Sequence, residues 1–498
     1  MILGGDGQAE GDRTTLDDLF RRAGVRHPDS IALADPPNRA SFTDGPPRKL
    51  TYSQADRAIS AMAARLRGLG LQSDTVVAFQ LPNTVESVIA LLGIMRAGMI
   101  AAPLPLLWRR QEIVAALKCV GAKALIANAR IRSAAQTTSL ADLARQVAAE
   151  LFQIRHVCGF GPGLPDGVAP LDDVFDDVRT DFVHRPARSG NAAAHVAVVT
   201  FEVTADGLCA VARSHIALIA AGAAPFPNGS AMLDAPILST IPLGSFAGIA
   251  LTVIPWLQSG GTLNLHHAFD PSTFATQCRD LNGGTIVVPG PVIAPLEEAD
   301  CLPATANVIA LWRSPERLAG ADRWRGAAKL IDVSSFGEIG LNANLRGPDG
   351  RCQPIALGSF GTSLTAAGTL AMAGAMVPTH AFRPGAAHER SPLFGADEAH
   401  VVDTGYACRL DRDGQVIVVV RPPAGIVNVG FYRFRQAQIE AQVAGIDPDA
   451  TIVAVPSSLL NARLGGSASG YAAIAAQLLA SGANPLLVEA FRPRKNAA

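Results

Sequence analysis

The chain is poor in several things whose scarcity narrows what it can be. Charged residues fill only 17% of its 498 positions while 49% are apolar, against roughly 25% charged in an ordinary soluble protein. A disordered chain and a coiled coil are excluded by that balance. Neither sign of charge is in excess, with 42 Lys and Arg against 43 Asp and Glu, so no electrostatic footprint points to nucleic acid. The 7 cysteines (119, 158, 209, 278, 301, 352 and 408) stand singly, with no C-x-x-C pair and no neighbouring His cluster. That argues for a reducing compartment and no structural zinc, and no metal site is assigned. Asp6, Glu10, Asp12, Asp17 and Asp18 crowd the start, unlike the basic and apolar opening of a secretory signal, so the cytoplasm is the expected location. No uncharged apolar run reaches membrane-spanning length. The greasiest stretch, 88–108, carries Arg96 in its middle and then Pro103 and Pro105, and is expected as a buried helix followed by a strand. Also missing are the G-x-S-x-G, H-E-x-x-H and G-x-x-x-x-G-K-[ST] motifs.

What is present alternates. Apolar residues at helical spacing over 53–70 stop at Gly68 and Gly70, and a buried strand follows over 74–81. Helices over 84–97 and 110–120 bracket strands at 99–103 and 123–127, and the rhythm returns with strands at 196–200, 238–242, 262–265 and 285–289. This is the mark of α/β architecture. The expected division is an α/β subdomain over 1–190 and a second over 191–345, joined by the Pro/Gly/Asp-rich segment 159–192. A small β-rich subdomain follows over 346–420, with turns at Pro348-Asp349-Gly350, Gly385 and Arg412-Asp413-Gly414. A short α+β piece over 421–498 completes the chain after a hinge at Pro422-Pro423. Within it, residues 465–470 (GGSASG) read as a flexible loop before an Ala-rich helix.

Thr51-Tyr52, the run GLGLQSDTVVAFQLPNTVESVIALLGIMRAGMIAAPLPLL, and segments 203–215, 239–262, 331–361 and 399–440 together resemble, in order, the adenylate-forming superfamily of acyl-CoA synthetases, luciferases and peptide-synthetase adenylation domains. The resemblance implies two βα-layered subdomains, a β-rich subdomain and a C-terminal lid. It also implies activation of a carboxylic acid by ATP and magnesium as acyl-AMP, in many members with transfer to coenzyme A, as the lid reorients between steps. Attack of a carboxylate on a phosphate brings anions together, so such a site must supply backbone N–H donors, cations and a metal.

The family motifs are altered here. The glycine-rich phosphate loop, which lets backbone amides close on phosphate beside a Lys, corresponds to FEVTADGLCAVARSH, 201–215, of which 203–215 is expected as a loop joining a strand to a helix. Val203, Leu208 and Cys209 stand where the family has Gly, Pro and Lys. Thr204 and Arg213-Ser214-His215 are retained, and Glu202 and Asp206 would repel phosphate. Cys209 reads as a buried, inert thiol, with a reactive one as the alternative. The Y-G-x-T-E motif that supplies a magnesium ligand appears as Phe336-Gly337-Glu338-Ile339-Gly340. Glu338, two positions early, reads first as a solvated carboxylate and otherwise as a substitute ligand. In the T-G-D motif, whose Asp binds the ribose hydroxyls, Tyr406 replaces the Asp; Arg421 matches the Arg that follows. Lys495, close to the end of the chain, is not assigned the adenylation-lysine role. The acyl-pocket loop P-L-x-H-x-x-G appears as 242–248 with Ser245 for His, beside Phe246 and Gly248.

The resemblance therefore places Thr204, Cys209 and Glu338 at the catalytic positions, Thr204, Gly337, Tyr406 and Arg421 at the nucleotide, and Ser245, Phe246, Gly248 and Phe336 at the acyl group. Losses at four separated places that serve one reaction favour a chain with lost or reduced adenylation, in which ATP, AMP, magnesium and coenzyme A are implied only by the family. The alternatives are an active fatty or aryl acid–CoA ligase with an altered site and a non-catalytic partner-binding module. Gly244, Ser245 and Ala247 lead us to expect open space for an acyl group between 242–257 and 335–341, with Val203, Leu208 and Ile339 filling the nucleotide side. A small-molecule acyl partner and a homo-oligomer fit this reading.

Overall fold

The computed structural model describes residues 13–492 apart from 134–135, 177–182, 188–189, 227–232, 282, 379 and 385–399. Gly385 and Lys495 lie outside the described residues.

Two mainly parallel sheets carry the body. Seven strands lie in the order Gly207–Ser214, Val196–Thr204, Ile100–Pro103, Val76–Gln80, Ala124–Asn128, His156–Phe160 and Ala169–Pro170. The other sheet has eight, from Gly340–Leu345 and Lys329–Phe336 through Ala306–Trp312, Gly284–Pro289, Ile237–Ser239 and Leu263–Leu265 to Ile31–Ala34 and Lys49–Thr51. Strands from either side of residue 190 enter both sheets, because Ile31–Ala34 joins the second while the hairpin 196–214 joins the first. Parallel strands are buried on both faces and need continuous apolar runs, which is how Val76–Gln80 and Ala124–Asn128 read and how they are buried. Helices form where caps begin them. Thr51 and Gln54 make a capping box at Tyr52–Gly68, and Gly121, at φ +61°, ends Arg110–Val120 in a left-handed turn.

The helix Val85–Arg96 is buried along its whole length between the sheets. Arg96, fully buried at its end, is held by Asp17 at 2.7 Å, Asp56 at 2.8 Å and Ser60 at 2.8 Å. A buried cation needs such company. Asn83 stitches the two layers by donating to the carbonyls of Ser239 and His266. Among the described residues, no helix is long and apolar enough to cross a membrane.

A five-stranded antiparallel sheet follows, in the order Ile355–Ala356, Val416–Arg421, Val402–Leu410, Thr369–Met372 and Thr362–Leu364. The C-terminal piece pairs Ile426–Val429 with Tyr432–Arg435 and Thr451–Ser457 with Asn461–Ser467, around helices Gln436–Ala444, Tyr471–Ala480 and Pro485–Glu489. Its own core gathers Val429, Val443, Leu464, Leu478 and Phe491. The expected loop at 465–470 is in part a strand: Gly465 to Ser467 pair with Val453 to Thr451. A Cβ at Gly466 would lie 2.4 Å from the Phe491 ring, so this glycine serves close packing.

Candidate functional site

The segment expected as a loop over 203–215 is a strand pair, and this corrects the sequence reading. Val196–Thr204 turns through Ala205-Asp206 into Gly207–Ser214, with Thr204 opposite Gly207, Val203 opposite Leu208 and Glu202 opposite Cys209. Ala205 and Asp206 are the two turn residues, and Thr204 Oγ1 closes the turn by donating to the Gly207 carbonyl at 3.0 Å. The backbone groups that a phosphate loop would leave free belong here to a β-ladder. Cys209 is half-buried and burial pushes its thiol up to about 11, the opposite of what a nucleophilic thiolate requires.

Glu202 is 2% exposed, and an anion so placed has to be met by donors. Its Oε1 accepts from Arg433 Nη1 of the C-terminal piece, and its Oε2 from the backbone N–H of Glu338. The latter approach depends on Gly337, which turns Lys329–Phe336 into Gly340–Leu345 at φ +60°. A Cβ there would sit 2.2 Å from Glu202 Oε2 and 2.5 Å from Arg433 Nη1.

Glu338, read from sequence as a solvated carboxylate, is buried. Its Oε2 accepts the Phe246 N–H at 2.7 Å and its Oε1 accepts from Arg313 at 3.0 Å. Arg213, also buried, donates to the carbonyls of Glu338 and Ile339 and lies 3.5 Å over the Phe246 ring, a cation–π contact. Burial lowers its guanidinium to about 9. Tyr406 is fully buried, edge-on to Phe336 at 5.3 Å, and its hydroxyl accepts from Arg433 and from Asn428. Burial raises its phenol and Arg433 offsets part of the rise.

Ser245 caps the short helix Phe246–Gly248 by accepting the Gly248 N–H at 3.2 Å. The space expected beside it is filled. A Cβ on Gly248 would meet the Pro242 carbonyl oxygen at 2.1 Å, one on Gly244 the Leu104 carbonyl oxygen at 2.9 Å, and Ala247, Ile249, Val253 and Trp256 are fully buried in the common core. These small residues admit backbone, and the open acyl pocket expected between 242–257 and 335–341 is not formed. The cavity bordered by Glu202, Val203, Ser245, Arg313, Glu338 and Arg433 offers about 50 Å³, room for a few waters.

The structure thus gathers Gly337, Glu338, Phe336, Tyr406, Ser245, Phe246 and Gly248 around one cluster. Thr204 and Cys209 lie in the adjoining hairpin, and Arg421 is exposed at the end of its strand, opposite Ala407. Arg313 and Arg433 were not singled out from sequence. The signal available was indirect: Glu202 sits in an otherwise apolar strand, VAVVTFEV, and must find a cation.

Comparison with known proteins agrees with this fold. The family model described as AMP-binding enzyme matches residues 20–300. Over 277 residues the chain is 27% identical to long-chain fatty acid transport protein 1 of Bos taurus, covering 54% of this chain and 40% of that one. It is 28% identical over 278 residues to 2-hydroxy-7-methoxy-5-methyl-1-naphthoate–CoA ligase of Streptomyces carzinostaticus, covering 53% and 48%. The matched stretch thus spans less than half of either relative. Among solved structures, the amide bond synthetase McbA of Marinactinospora thermotolerans superposes with a TM-score of 0.71 at 16% identity, over 94% of each chain. A fused adenylation–carrier di-domain of Klebsiella oxytoca gives 0.66 at 18%, over 96% of this chain and 93% of that one. With more than half of its length matched by the family model and nearly all of it by the fold, the chain belongs to the AMP-binding enzymes of the adenylate-forming superfamily.

Proposed function

We propose that this chain is a non-catalytic member of its family, in which side chains of the protein itself occupy the ground of the nucleotide and its metal. The observation that carries the reading is the Glu202–Arg433 pair, closed over Gly337 and joined to Tyr406. The Glu202 carboxylate, on the strand that corresponds to the start of the phosphate loop, takes the Glu338 N–H of the Gly337 turn, where the family motif supplies its magnesium ligand, and is met by Arg433. The donor set does not suit magnesium, which demands near-octahedral oxygen ligands: Glu338 spends one oxygen on Arg313 and the other on an N–H. About 50 Å³ falls far short of the 300–1,000 Å³ of ordinary ligand sites. The guanidiniums of the cluster are already committed within the protein, Arg433 to Glu202, Arg313 to Glu338 and Arg213 to the carbonyls of Glu338 and Ile339.

The names of the relatives, among them the naphthoate–CoA ligase and the medium-chain fatty-acid–CoA ligase of Escherichia coli, support a second reading as an acid–CoA ligase with an altered site. Pyrophosphate exchange decides between them. With MgATP and a panel of fatty, aryl and amino acids we expect exchange at background and no thermal shift at millimolar ATP. Exchange above background with any acid overturns the non-catalytic reading and establishes the ligase.

A further inference from the structure

The C-terminal piece is tied to elements that belong to all three large sheets. Gln442 Nε2 donates to Gln111 Oε1 at 2.7 Å and Asn484 Nδ2 to Glu112 Oε1 at 3.3 Å, both at the head of Arg110–Val120, a helix packed in the core of the seven-stranded sheet. The Asn461 carbonyl accepts from Arg317 at 2.5 Å, just beyond the strand Ala306–Trp312 of the eight-stranded sheet. Arg433 reaches Glu202 and, in the five-stranded sheet, the Tyr406 hydroxyl. A rotation of the piece has to release these contacts together.

The hinge expected at Pro422-Pro423 is a closed turn. The Pro423 carbonyl accepts the Ile426 N–H at 3.1 Å, with Gly425 at φ +72°, the positive φ that a type II turn needs at its third residue. Pro423 packs on the strand Val402–Leu410: a Cβ on Gly405 would lie 3.2 Å from Pro423 Cβ. A lid turns by changing φ and ψ at a few linker residues. Here two of them have φ fixed by their rings, and the hydrogen bond of the turn holds the rest.

Glu202 and Arg433 form a buried pair across the boundary between the body and the piece. Such a pair adds little over apolar packing, but it specifies one arrangement, since another docking over the same surface would bury one charge without the other. We propose that this pair and the closed linker hold the C-terminal piece in a single seat. Resemblance to the adenylate-forming superfamily implies a lid that reorients between activation and transfer to coenzyme A, and a lid with one seat leaves the chain without that transfer step. The inference goes beyond the non-catalytic reading and does not rest on it, because a chain that adenylates an acid can still have a fixed lid.

The test is a distance measurement by electron paramagnetic resonance on the full chain. Spin labels go on encoded azide-bearing residues at Gln146 and Gln438, both exposed, so that the native cysteines stay untouched. Wild type should give one distance, unchanged by millimolar MgATP or by coenzyme A. Glu202→Gln combined with Arg433→Met, which removes the pair without leaving a buried charge, should add a second distance in about 10% of molecules or more. A second distance in wild type, with or without these ligands, overturns the proposal, as does a single unchanged distance in the double variant. If the double variant fails to fold, Glu202→Gln alone is read in the same way, and a single distance there overturns the proposal equally. Pyrophosphate exchange above background alongside a single distance overturns only the non-catalytic reading; background exchange alongside two distances overturns only this one.

Discussion

Two cavities share Leu106, Pro242 and Tyr432 as a common wall and differ more than tenfold in volume, about 50 Å³ against about 780 Å³. The smaller is bordered by Glu202, Glu338, Arg313 and Arg433, each engaged by another member or by backbone. The larger mixes aromatic and aliphatic walls with hydroxyl, amide and charged side chains, and its buried Arg109 donates to the carbonyls of Leu106 and Trp108 with Glu112 as its electrostatic partner. Ionisable groups that satisfy one another across a gap close it.

The sharpest way to break the closed side is Arg433→Ala. It leaves the Glu202 carboxylate buried without its cation and deprives Tyr406 of a donor, so a loss of about 3–5 kcal/mol is expected in urea unfolding. Glu202→Gln combined with Arg433→Met removes both charges together and should recover more than half of that loss, since neutralising a buried pair as a unit is often close to neutral. A double mutant as unstable as the single would show that the pair does not hold the cluster.

Next in size is Gly248→Ala. Its added methyl would meet the Pro242 carbonyl, and a loss of about 1–3 kcal/mol in unfolding free energy is expected from overpacking. An unchanged melting temperature would mean that the wall yields, and with it the case that the acyl side is filled.

The smallest effect concerns the open side. Asp35 holds Arg39 at 2.5 Å at the head of the helix Arg39–Phe42, which brings Phe42 to the cleft. Burial, with Glu86 nearby, raises its carboxyl from 3.8 to about 6, while Glu86 itself is held below its usual range by Arg39 and Arg48. Between about 4 and 6 the folded chain retains a proton at Asp35 that the unfolded chain has released. Its contribution is therefore full below pH 4 and is lost as pH rises through 6. Asp35→Asn should flatten that part of the melting-temperature profile between pH 4 and 7 relative to wild type. An identical slope in the variant would remove Asp35 as its source.

Much of the scaffold was legible in the sequence because its signals are local. The helix Arg110–Val120 matches its expected span, bounded by an acidic first turn and Gly121, and the strands at 76–80 and 124–128 fall within a residue or two of expectation. The altered motifs marked where the site differs from its family but not what replaced it. Arg433 meets Glu202 across 231 positions of chain and Glu338 meets Phe246 across 92, and no periodicity or spacing carries pairings of that range. Gly244 and Ala247 misled for a related reason: a small residue leaves a gap only if nothing else enters it, and here backbone does.

The salt link between Glu202 and Arg433 also has a consequence for how the chain assembles. Closing a loop of 231 residues carries an entropic cost that only surfaces already in place can offset. The strand bearing Glu202 and the Gly337 turn must stand before Arg433 has anywhere to go. The C-terminal piece, with a core of its own, is then expected to dock last in folding and to come away first under mild denaturant. Native-state hydrogen exchange should then show its boundary with the body opening as a separate unit, with the buried sheets exchanging only on global unfolding.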